Sequence, residues 1–400
     1  MADAPVVRAS GLFKVFGRHP AQAVERLRAG ASRDELRSEG LTAAVIDASF
    51  EVGKGEIFVV MGLSGSGKST LIRMVNGLLA PTAGSMFVGD KDIAALHAKE
   101  LRKVRQDRVS MVFQHFALFP HRTVGENAAY GLEVRGVNRA DREKKAAEAL
   151  TLVGLDGWGD SLPGELSGGM RQRVGLARAL ATGTDIMLMD EAFSALDPLI
   201  RREMQDQLVD IQGNLGTTIL FITHDLNEAM RLGDRIAMMR DGRIVQIGTA
   251  EQILNDPAND YVAQFIQDVD RTRVLTAASV MERPVAVLGS EQGPRAAHKL
   301  IRESQVNALF VVDRHRALVG VVHENDVADA VREGRTDLQG LVDTNPVTVS
   351  ADTFCADLFA DSAQTPVPLA VLDDAKRLVG VIPRVTLLNA LSTQDSEAGS

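Results

Sequence analysis

The sequence predicts an α/β protein, in which a largely parallel, doubly wound sheet is followed by a smaller, repeated α/β unit. Two observations support this fold class. Between residues 43 and about 250, short apolar runs rich in β-forming residues alternate with helical segments. After residue 278, one pattern recurs at a constant offset of 60 residues, as in a tandem repeat. Five apolar runs define the predicted sheet: 57–62, 109–114, 185–191, 218–224 and 235–239.

The composition is that of a soluble globular protein, with 45% hydrophobic and 24% charged residues. No uncharged apolar run approaches the ~18–20 residues of a membrane helix, and the N-terminus lacks the features of a secretory signal. We therefore expect a cytoplasmic protein whose role at a membrane depends on a partner. The net charge of −9 argues against a nucleic-acid partner. The single cysteine, Cys355, excludes an intramolecular disulfide and is interpreted as a small core residue.

The first 40 residues contain two different patterns. Residues 6–16 are apolar and predict a strand followed by an aromatic turn. Residues 18–40 are charged and rich in alanine, and they predict a helical insertion. Within it, Ser32 and Glu35 form a capping-box pattern at the start of a short helix.

A phosphate-binding loop follows the first apolar run of the predicted sheet. The segment from Gly62 to Thr70 matches the pattern G-x-x-x-x-G-K-[ST], with a strand before it and a helix after it. Its glycines let backbone amides converge on phosphate oxygens at the start of the helix. We expect Lys68 to reach the β- and γ-phosphates of a nucleotide and the Ser69 hydroxyl to bind Mg²⁺. The predicted nucleotide contacts in this loop are Gly62, Ser64, Gly65, Ser66, Gly67, Lys68, Ser69 and Thr70.

Two acidic residues end a second apolar run. Asp190 and Glu191 follow the strand-forming segment IMLM, and ligands of α/β sheets bind at the carboxyl ends of the strands. Asp190 is predicted to hold Mg²⁺, directly or through water. Glu191 is predicted to act as a base, or to orient the attacking water. An acidic pair can also be a solvated strand end, but its apolar run and its distance from the phosphate loop favour the functional interpretation.

Four further motifs accompany these residues. The segment LSGGM (166–170) begins a helix, and its amides predict a second anion site. Gln114 follows one predicted strand, and His224 ends another. The segment SALD (194–197) follows the acidic pair.

In this order and spacing, the six motifs resemble the ATPase domain of ABC transporters over roughly residues 6–250. The resemblance implies a P-loop NTPase of the ABC type, with a parallel-sheet core and a helical signature subdomain. It also implies a head-to-tail homodimer that holds ATP and Mg²⁺ between the phosphate loop of one subunit and Ser167, Gly168 and Gly169 of the other.

The same resemblance assigns further roles. His224 would contact the γ-phosphate, and Gln114 would sense Mg²⁺ and the attacking water. Asp197 would act across the dimer interface. Phe16 occupies the place where the family stacks an aromatic ring on adenine, and Phe13 is the alternative.

A partner surface is predicted after Gln114. Phe116, Leu118 and Phe119 are apolar residues in a segment that otherwise has the composition of a surface loop. The resemblance implies that the region 114–130 receives an integral-membrane permease. The alternative is that these residues fold back into the helical subdomain.

Up to about residue 275, the sequences of the motifs closely resemble those of the ATP-binding subunits of glycine betaine and proline betaine (quaternary amine) importers. The insertion at 18–40 is part of that resemblance. It implies ATP-driven uptake of an osmoprotectant through a separate permease and an extracytoplasmic substrate-binding protein. It further implies a peripheral location on the cytoplasmic face of the inner membrane.

The C-terminal repeat resembles a tandem CBS module, in which an Asp of the pattern G-h-h-[ST]-x-x-D commonly contacts an adenine nucleotide. The first copy has Asp326, with His323 at the Ser/Thr position, and the second copy has Thr386 instead of Asp. Nucleotide binding at Asp326, bracing of a dimer and sensing of ionic strength remain three alternatives. The expected boundaries are 1–270 for the ATPase domain, 271–277 for a linker, 278–334 and 341–391 for the CBS copies, and 392–400 for a disordered tail.

Two other functions compete with a transport ATPase. One is a soluble, non-transport ABC ATPase, but such proteins usually carry twin ATPase domains or a long coiled coil, and the sequence has neither. The other is a regulatory module with a vestigial ATPase, which the presence of Lys68, Asp190, Glu191 and His224 argues against.

Overall fold

A computed structural model describes residues 4–114, 117–267, 272 and 274–392, and it divides the chain into two compact units, 1–266 and 267–400. Residues 271 and 273 of the predicted linker and residues 393–400 of the predicted tail lie outside the described residues. None of the helices in these ranges combines the length and the apolar composition that are needed to cross a bilayer.

The first unit alternates strands and helices. Its strands are β1 (Val7–Phe16), β2 (Thr42–Val52), β3 (Ile57–Met61), β4 (Ala83–Val88), β5 (Lys91–Asp92), β6 (Val109–Phe113), β7 (Ile186–Asp190), β8 (Thr218–Thr223), β9 (Arg235–Arg240) and β10 (Arg243–Gly248). Its α-helices are α1 (Pro20–Arg28), α2 (Arg33–Ser38), α3 (Lys68–Val75), α4 (Ala98–Arg108), α5 (Val124–Val134), α6 (Arg139–Leu152), α7 (Gly168–Ala181), α8 (Pro198–Leu215), α9 (Leu226–Leu232), α10 (Ala250–Asn255) and α11 (Asp260–Ile266), and a 3₁₀ turn covers Pro163–Glu165.

The central sheet has the largely parallel arrangement that the sequence predicts. Its strand order is β10-β9-β3-β8-β7-β6, with only β10 antiparallel to its neighbour. Every residue of β3 and β8 is buried, as expected for central strands that are covered on both faces. In the strand register, Met61 pairs with Thr223, and Asp190 pairs with both Ile222 and Phe113. The segments that follow these strands therefore start at one edge of the sheet.

A second sheet was not predicted from the sequence. It is antiparallel, with the order β2-β1-β4-β5, and it packs on the central sheet, where Phe50 stacks on Phe58 at 5.4 Å between ring centroids. The prediction of an aromatic turn at the end of residues 6–16 was wrong, because β1 continues through Phe16. This strand is held by hydrogen bonds to β2 and β4, and Gly11, at φ 54°, lies where its register shifts.

The insertion at 18–40 consists of two helices, α1 and α2. Leu27 and Leu36 pack with Phe13 in a small core of their own. Ser32 caps α2, since its hydroxyl accepts a hydrogen bond from the Glu35 amide at 3.2 Å, as predicted. This core fixes the insertion on the face of the antiparallel sheet.

The second unit contains two copies of one strand–helix–strand–strand–helix pattern. In each copy, the first strand pairs parallel with the second, and the second pairs antiparallel with the third. The elements are α12 (Ala277–Val280), β11 (Val287–Gly289), α13 (Pro294–Ser304), β12 (Ala308–Val312), β13 (Leu318–His323), α14 (Glu324–Arg332), β14 (Thr348–Ser350), α15 (Cys355–Gln364), β15 (Leu369–Leu372), β16 (Leu378–Ile382) and α16 (Arg384–Ser392).

The two copies exchange the segments that precede their first strands. Glu282, before β11, forms a bridge with Val381 in β16, and Asp343, before β14, forms the equivalent bridge with Val321 in β13. A shared apolar layer between the sheets includes Phe310 and Leu378. Each copy of the sequence therefore completes its fold with residues from the other copy.

Candidate active site

The phosphate loop connects β3 to α3 and depends on two glycines. Gly62 has φ 151°, and a Cβ atom there would lie 2.2 Å from the carbonyl oxygen of Met239. Gly67 caps α3 at φ 107°, and a Cβ atom there would lie 2.2 Å from the carbonyl oxygen of Ala44. Because only glycine fits at these two positions, the backbone can wind tightly into the N-terminus of α3 and present its amides to an anion.

Lys68 is buried at the start of α3. Its ammonium donates hydrogen bonds to the carbonyl oxygens of Gly62 at 2.7 Å and Leu63 at 3.1 Å. Burial lowers the pKa of Lys68, while the carboxylates of Glu191 and Asp190 act to raise it. A phosphate bound by the loop would favour the charged form further. Ser64 and Gly65 are exposed on the loop, Ser66 is buried, and Thr70 is half-buried in the first turn of α3.

Ser69 and Asp190 form the candidate magnesium site. The Ser69 hydroxyl donates a hydrogen bond of 3.2 Å to Asp190 Oδ1 across the sheet edge. Burial raises the pKa of Asp190, and the hydrogen bond from Ser69 acts in the opposite direction. The described residues contain no cluster of three His, Cys, Asp or Glu side chains that would enclose a metal. A hydroxyl and one carboxylate fit Mg²⁺, which takes most of its ligands from phosphate and water.

The three predicted catalytic residues are linked across the ends of β6, β7 and β8. Gln114 Nε2 donates to Ser194 Oγ at 3.2 Å, and that hydroxyl donates to the Glu191 carbonyl at 2.9 Å. Glu191 Oε2 lies 3.3 Å from His224 Nδ1. The structure therefore brings Gln114, Glu191 and His224 to one edge of the sheet.

Glu191 has an unusual backbone conformation. Its φ is 48°, in the left-handed region, which costs a residue with a side chain about 1 kcal/mol. The backbone N–H of Glu191 donates to the carbonyl of Ile222 at 2.9 Å, and this bond holds the turn. The conformation directs the chain away from β7 immediately after Asp190, so that two consecutive acids serve different partners.

Phe16 and Phe13 occupy different environments. Phe16, at the end of β1, is 41% exposed, and Lys14 Nζ lies 5.2 Å from the centre of its ring. Phe13 is 4% exposed and packs in the core of the insertion. The alternative assignment of Phe13 as the stacking residue was therefore wrong, because its ring has no free face.

The LSGGM and SALD segments lie next to each other. Ser167 caps α7 by accepting a hydrogen bond from the Met170 amide at 3.2 Å, and Asp197 caps α8 by accepting one from Ile200 at 3.1 Å. A Cβ atom at Gly169 would approach Ile200 at 2.8 Å, whereas one at Gly168 would meet open space. Within the described ranges, no hydrogen bond joins Ser167, Gly168 or Gly169 to the phosphate loop of the same chain.

The predicted permease region is organised by a buried amide. Asn127 is fully buried, and its side chain bonds to the backbone of Phe119, Arg122 and Thr123. The Phe119 ring packs on Tyr130 at 4.5 Å between centroids and is half-buried, as is Leu118. Phe116 lies outside the described residues.

Sequence reasoning missed two contributors to the site. Ser194 links Gln114 to Glu191, and its place in the SALD motif was the only signal available. Gly242, in the turn between β9 and β10, donates its amide to the Ser66 carbonyl at 3.0 Å. No local pattern indicates that contact, because the two residues belong to distant segments.

Two cavities lie away from this site. One of about 710 Å³ is lined by Lys54, Arg108, Asp185 and Thr218 at the amino ends of the strands, opposite to the edge where α/β sheets bind ligands. The second, of about 620 Å³, lies in the second unit and is lined by Arg283, Val287, Arg316, Asp373, Arg377 and neighbouring residues. Asp326 lies in the first turn of α14, is exposed, and does not line it.

Comparisons with known proteins find matches to both units of the chain. The sequence pattern of the ABC transporter family matches residues 45–194, and that of the CBS domain matches residues 277–333. The glycine betaine/carnitine transport ATP-binding protein GbuA of Listeria monocytogenes is 51% identical over 96% of this chain and 97% of its own length. The glycine betaine/proline betaine transport ATP-binding protein ProV of Escherichia coli is 46% identical over 97% of this chain and 98% of its own.

A solved structure is similar as well. It is a dimer of the ATP-binding cassette MJ0796 in a post-hydrolysis state, bound to ADP and phosphate. It superimposes with a TM-score of 0.51 and 30% identity, covering 61% of this chain and 98% of that one. These likenesses confirm the resemblance derived from the motifs. The chain therefore belongs to the ABC transporter ATP-binding proteins, in the group that includes these glycine betaine transport proteins, and it carries a C-terminal CBS domain.

Proposed function

We propose that this chain is the ATP-hydrolysing subunit that energises uptake of glycine betaine, proline betaine or a related osmoprotectant through a separate permease. The observation that carries the proposal is the arrangement at the sheet edge. Lys68, Ser69 and Asp190 lie at the same sheet edge as Gln114, Glu191 and His224. Gln114 is linked through Ser194 to the backbone carbonyl of Glu191. The chain thus has the parts that ATP hydrolysis needs, and its relatives are named for transport of these compounds.

ATP binding would use the loop and one aromatic ring. The amides of residues 62–70 and the Lys68 ammonium would bind the β- and γ-phosphates. Phe16, whose ring is partly exposed, would stack on adenine. Ser69, Gln114 and Asp190 would hold Mg²⁺, which supplies positive charge to the phosphates when bound.

Hydrolysis would depend on Glu191 and His224. Glu191 would orient a water molecule and accept its proton as the water oxygen bonds to the γ-phosphorus and the bond to the bridging oxygen breaks. ADP would leave with that oxygen, and the proton would pass from Glu191 to solvent. His224 Nδ1, 3.3 Å from Glu191 Oε2, would hold the carboxylate in place. The imidazole of His224 would also contact the γ-phosphate.

The working form would be a homodimer. Ser167, Gly168 and Gly169 make no hydrogen bond to the loop of their own chain in the described residues, and Gly168 faces open space. An N-terminus of α7 from a second copy would complete the phosphate site, with Asp197 beside the interface. ATP would then favour the closed dimer, and hydrolysis would release it.

The transporter would contain two further kinds of protein. An integral-membrane permease would contact residues 114–130, where Asn127 orders the loop and Leu118 is half exposed. An extracytoplasmic substrate-binding protein would deliver the osmoprotectant. The chain would then be peripheral, on the cytoplasmic face of the inner membrane, with no nucleic acid among its partners.

The C-terminal CBS pair would regulate this activity. Asp326 would contact the ribose of an adenine nucleotide in the first copy, whereas Thr386 offers no carboxylate in the second. A soluble, non-transport ABC ATPase is not favoured, because the matching relatives are transport proteins along nearly all of this chain.

Uptake of labelled glycine betaine under osmotic stress tests the proposal. Cells that carry Glu191→Gln should lose uptake, while Glu100→Gln, an exposed position in α4, should leave it unchanged. Unlabelled proline betaine, carnitine and choline as competitors would define the substrate. Uptake that is unchanged in Glu191→Gln, while the purified variant binds ATP without hydrolysing it, would overturn the betaine assignment but not the ATPase.

A further inference from the structure

Several carbonyl groups of the phosphate loop accept hydrogen bonds from outside the loop backbone. Lys68 binds the carbonyls of Gly62 and Leu63, and the Gly242 amide binds that of Ser66. The carbonyl of Gly65 is held differently, by a side chain from outside the ATPase core. Arg33 Nη2 donates to it at 3.1 Å.

The same guanidinium of Arg33 also contacts an acid. Its Nη1 atom lies 2.9 Å from Asp241 Oδ1, so one guanidinium bridges an acid and a loop carbonyl. A planar guanidinium suits two fixed acceptors, which a lysine ammonium would satisfy less well. Asp241 and Gly242 have φ 50° and 83° in the two-residue turn between β9 and β10. This turn therefore supports the loop twice, directly through Gly242 and indirectly through Arg33.

The insertion gives Arg33 a rigid base. Arg33 is the first residue of α2, directly after the capping residue Ser32. Leu36, one turn later in α2, is fully buried against the core that contains Phe13. Arg33 therefore reaches the loop from a short, capped and anchored helix.

We propose that Arg33 is a positioning residue for the phosphate loop, and that Asp241 fixes its guanidinium. Gly65 has φ 79°, and nothing lies within 4 Å of where its Cβ would be, so no packing limits the loop there. Because a peptide unit is planar, a bond to the Gly65 carbonyl fixes the orientation of the whole 65–66 peptide. The inference rests on the proposed ATP site, and it gives the insertion a role in nucleotide binding.

Binding measurements on the purified full-length chain test this role. ATP affinity would be measured directly, and inorganic pyrophosphate would be used as a competitor that probes the loop without adenine. Arg33→Ala should weaken both ligands about three- to tenfold, the range for loss of one charged hydrogen bond that is partly exposed. Arg37→Ala, which removes the same charge from an exposed position of the same helix, should leave both affinities unchanged.

Asp241→Asn gives an independent test. Asparagine tolerates the left-handed backbone at this turn, so the change removes the charge and leaves the turn intact. It should weaken both ligands less than Arg33→Ala does. The double variant should bind no more weakly than Arg33→Ala alone, because the two residues act through one contact.

Three outcomes would overturn the inference. The first is Arg33→Ala binding ATP and pyrophosphate as well as Arg37→Ala does. The second is a loss confined to ATP, which would place Arg33 on the adenine side. The third is a parallel fall of the ligand affinity and of the unfolding midpoint, measured without nucleotide, in both Arg33→Ala and Arg33→Lys. That result would make the role of Arg33 purely structural. A wild type that binds neither ligand would overturn the proposed function, and this inference with it.

Discussion

The phosphate-loop region and the C-terminal repeat use unusual residues for opposite purposes. In the loop region, Lys68 is buried, Ser66 Oγ is buried without a hydrogen-bond partner among the described residues, and Glu191 has a left-handed backbone. Each of these features costs folding free energy. We attribute them to the proposed phosphate site, where a bound anion would pair with Lys68.

In the repeat, the residues that both copies share support the fold. Asp313 accepts hydrogen bonds from the amides of residues 315 and 317, and Asp373 accepts them from residues 375 and 377. Gly320 and Gly380 each allow a crossing segment to approach closely. The residue predicted to bind a ligand is not shared, since Asp326 of the first copy corresponds to Thr386 of the second. Repetition in this unit therefore preserves structure, and shared residues there are weak evidence for a ligand.

The chain provides separate reporters for the two regions. Its single tryptophan, Trp158, lies in the first unit, and its single cysteine, Cys355, lies in the second. Burial raises the pKa of the Cys355 thiol to about 11, so the native thiol should resist alkylation near neutral pH. Tryptophan fluorescence and alkylation of Cys355 in urea would then report the opening of each unit.

The largest expected effect separates a core residue from a site residue. Phe13→Ala should lower the free energy of unfolding of the first unit by about 3–5 kcal/mol, because it leaves a cavity in the core of the insertion. Phe16→Ala should change it by less than about 0.5 kcal/mol, because the ring is exposed, but should weaken ATP binding about fivefold. Trp158 fluorescence in urea and ATP titration would measure the two quantities. Equal stability losses in both variants would contradict the assignment of Phe16 to the nucleotide.

Lys68→Met should separate activity from stability. ATPase activity should fall about 100- to 1,000-fold, the usual cost of removing a charge that stabilises the transition state. The variant should nevertheless be at least as stable near neutral pH, because a lowered folded-state pKa means that folding disfavours the charged lysine. That advantage should shrink as pH rises from the lowered pKa towards 10.5, where the unfolded lysine also loses its proton. Lys99→Met, at an exposed position in α4, is the control.

Gly320→Ala, in contrast to Lys68→Met, should lower stability. Its Cβ would lie 2.3 Å from the backbone carbonyl of Asp343, so the second unit should lose about 1–3 kcal/mol. Gly380→Ala should cost less, because there the atom in the way is the Sδ of a flexible side chain, Met281. Gly289→Ala, which meets nothing closer than 3.7 Å, is the control. Earlier alkylation of Cys355 in urea would reveal the loss, and an equal effect in all three variants would refute the argument.

The sequence predicts the central sheet well because its parallel strands are buried on both faces. Their apolar runs are continuous, and the five predicted runs match β3, β6, β7, β8 and β9 within two residues. The carboxyl ends of such strands share one edge, and this brings Gln114, Glu191 and His224 together without any knowledge of side-chain contacts.

What the sequence does not predict depends on distant pairing. The antiparallel sheet joins β1 to β2 and β4, and the bulge at Gly11 interrupts the alternation that would have shown it. Arg33 and Asp241 are 208 residues apart, and the exchange of Glu282 and Asp343 between copies is not encoded in either copy alone. Local periodicity carries no information about such contacts.

The smallest expected effect distinguishes the two copies of the repeat. Arg377 donates to Asp373 Oδ2 at 2.7 Å, while the equivalent position of the first copy is Ala317. Asp373→Asn keeps an oxygen for the two amides of the turn but loses this ion pair, so it should lower the urea midpoint of Cys355 alkylation slightly. Asp313→Asn, which has no such pair to lose, should leave the midpoint unchanged.

The pH dependence of the stability loss in Asp373→Asn gives a second test of the ion pair with Arg377. The hydrogen bond from Arg377 lowers the pKa of Asp373 below its usual 3.8. A carboxylate with a lowered folded-state pKa stabilises the fold above the unfolded pKa and ceases to do so as pH falls through the folded one. The deficit of Asp373→Asn should therefore be constant from about pH 7 to about pH 5 and shrink on further acidification. If Asp313→Asn shows the same deficit with the same pH profile, the ion pair between Arg377 and Asp373 does not contribute to the difference in stability.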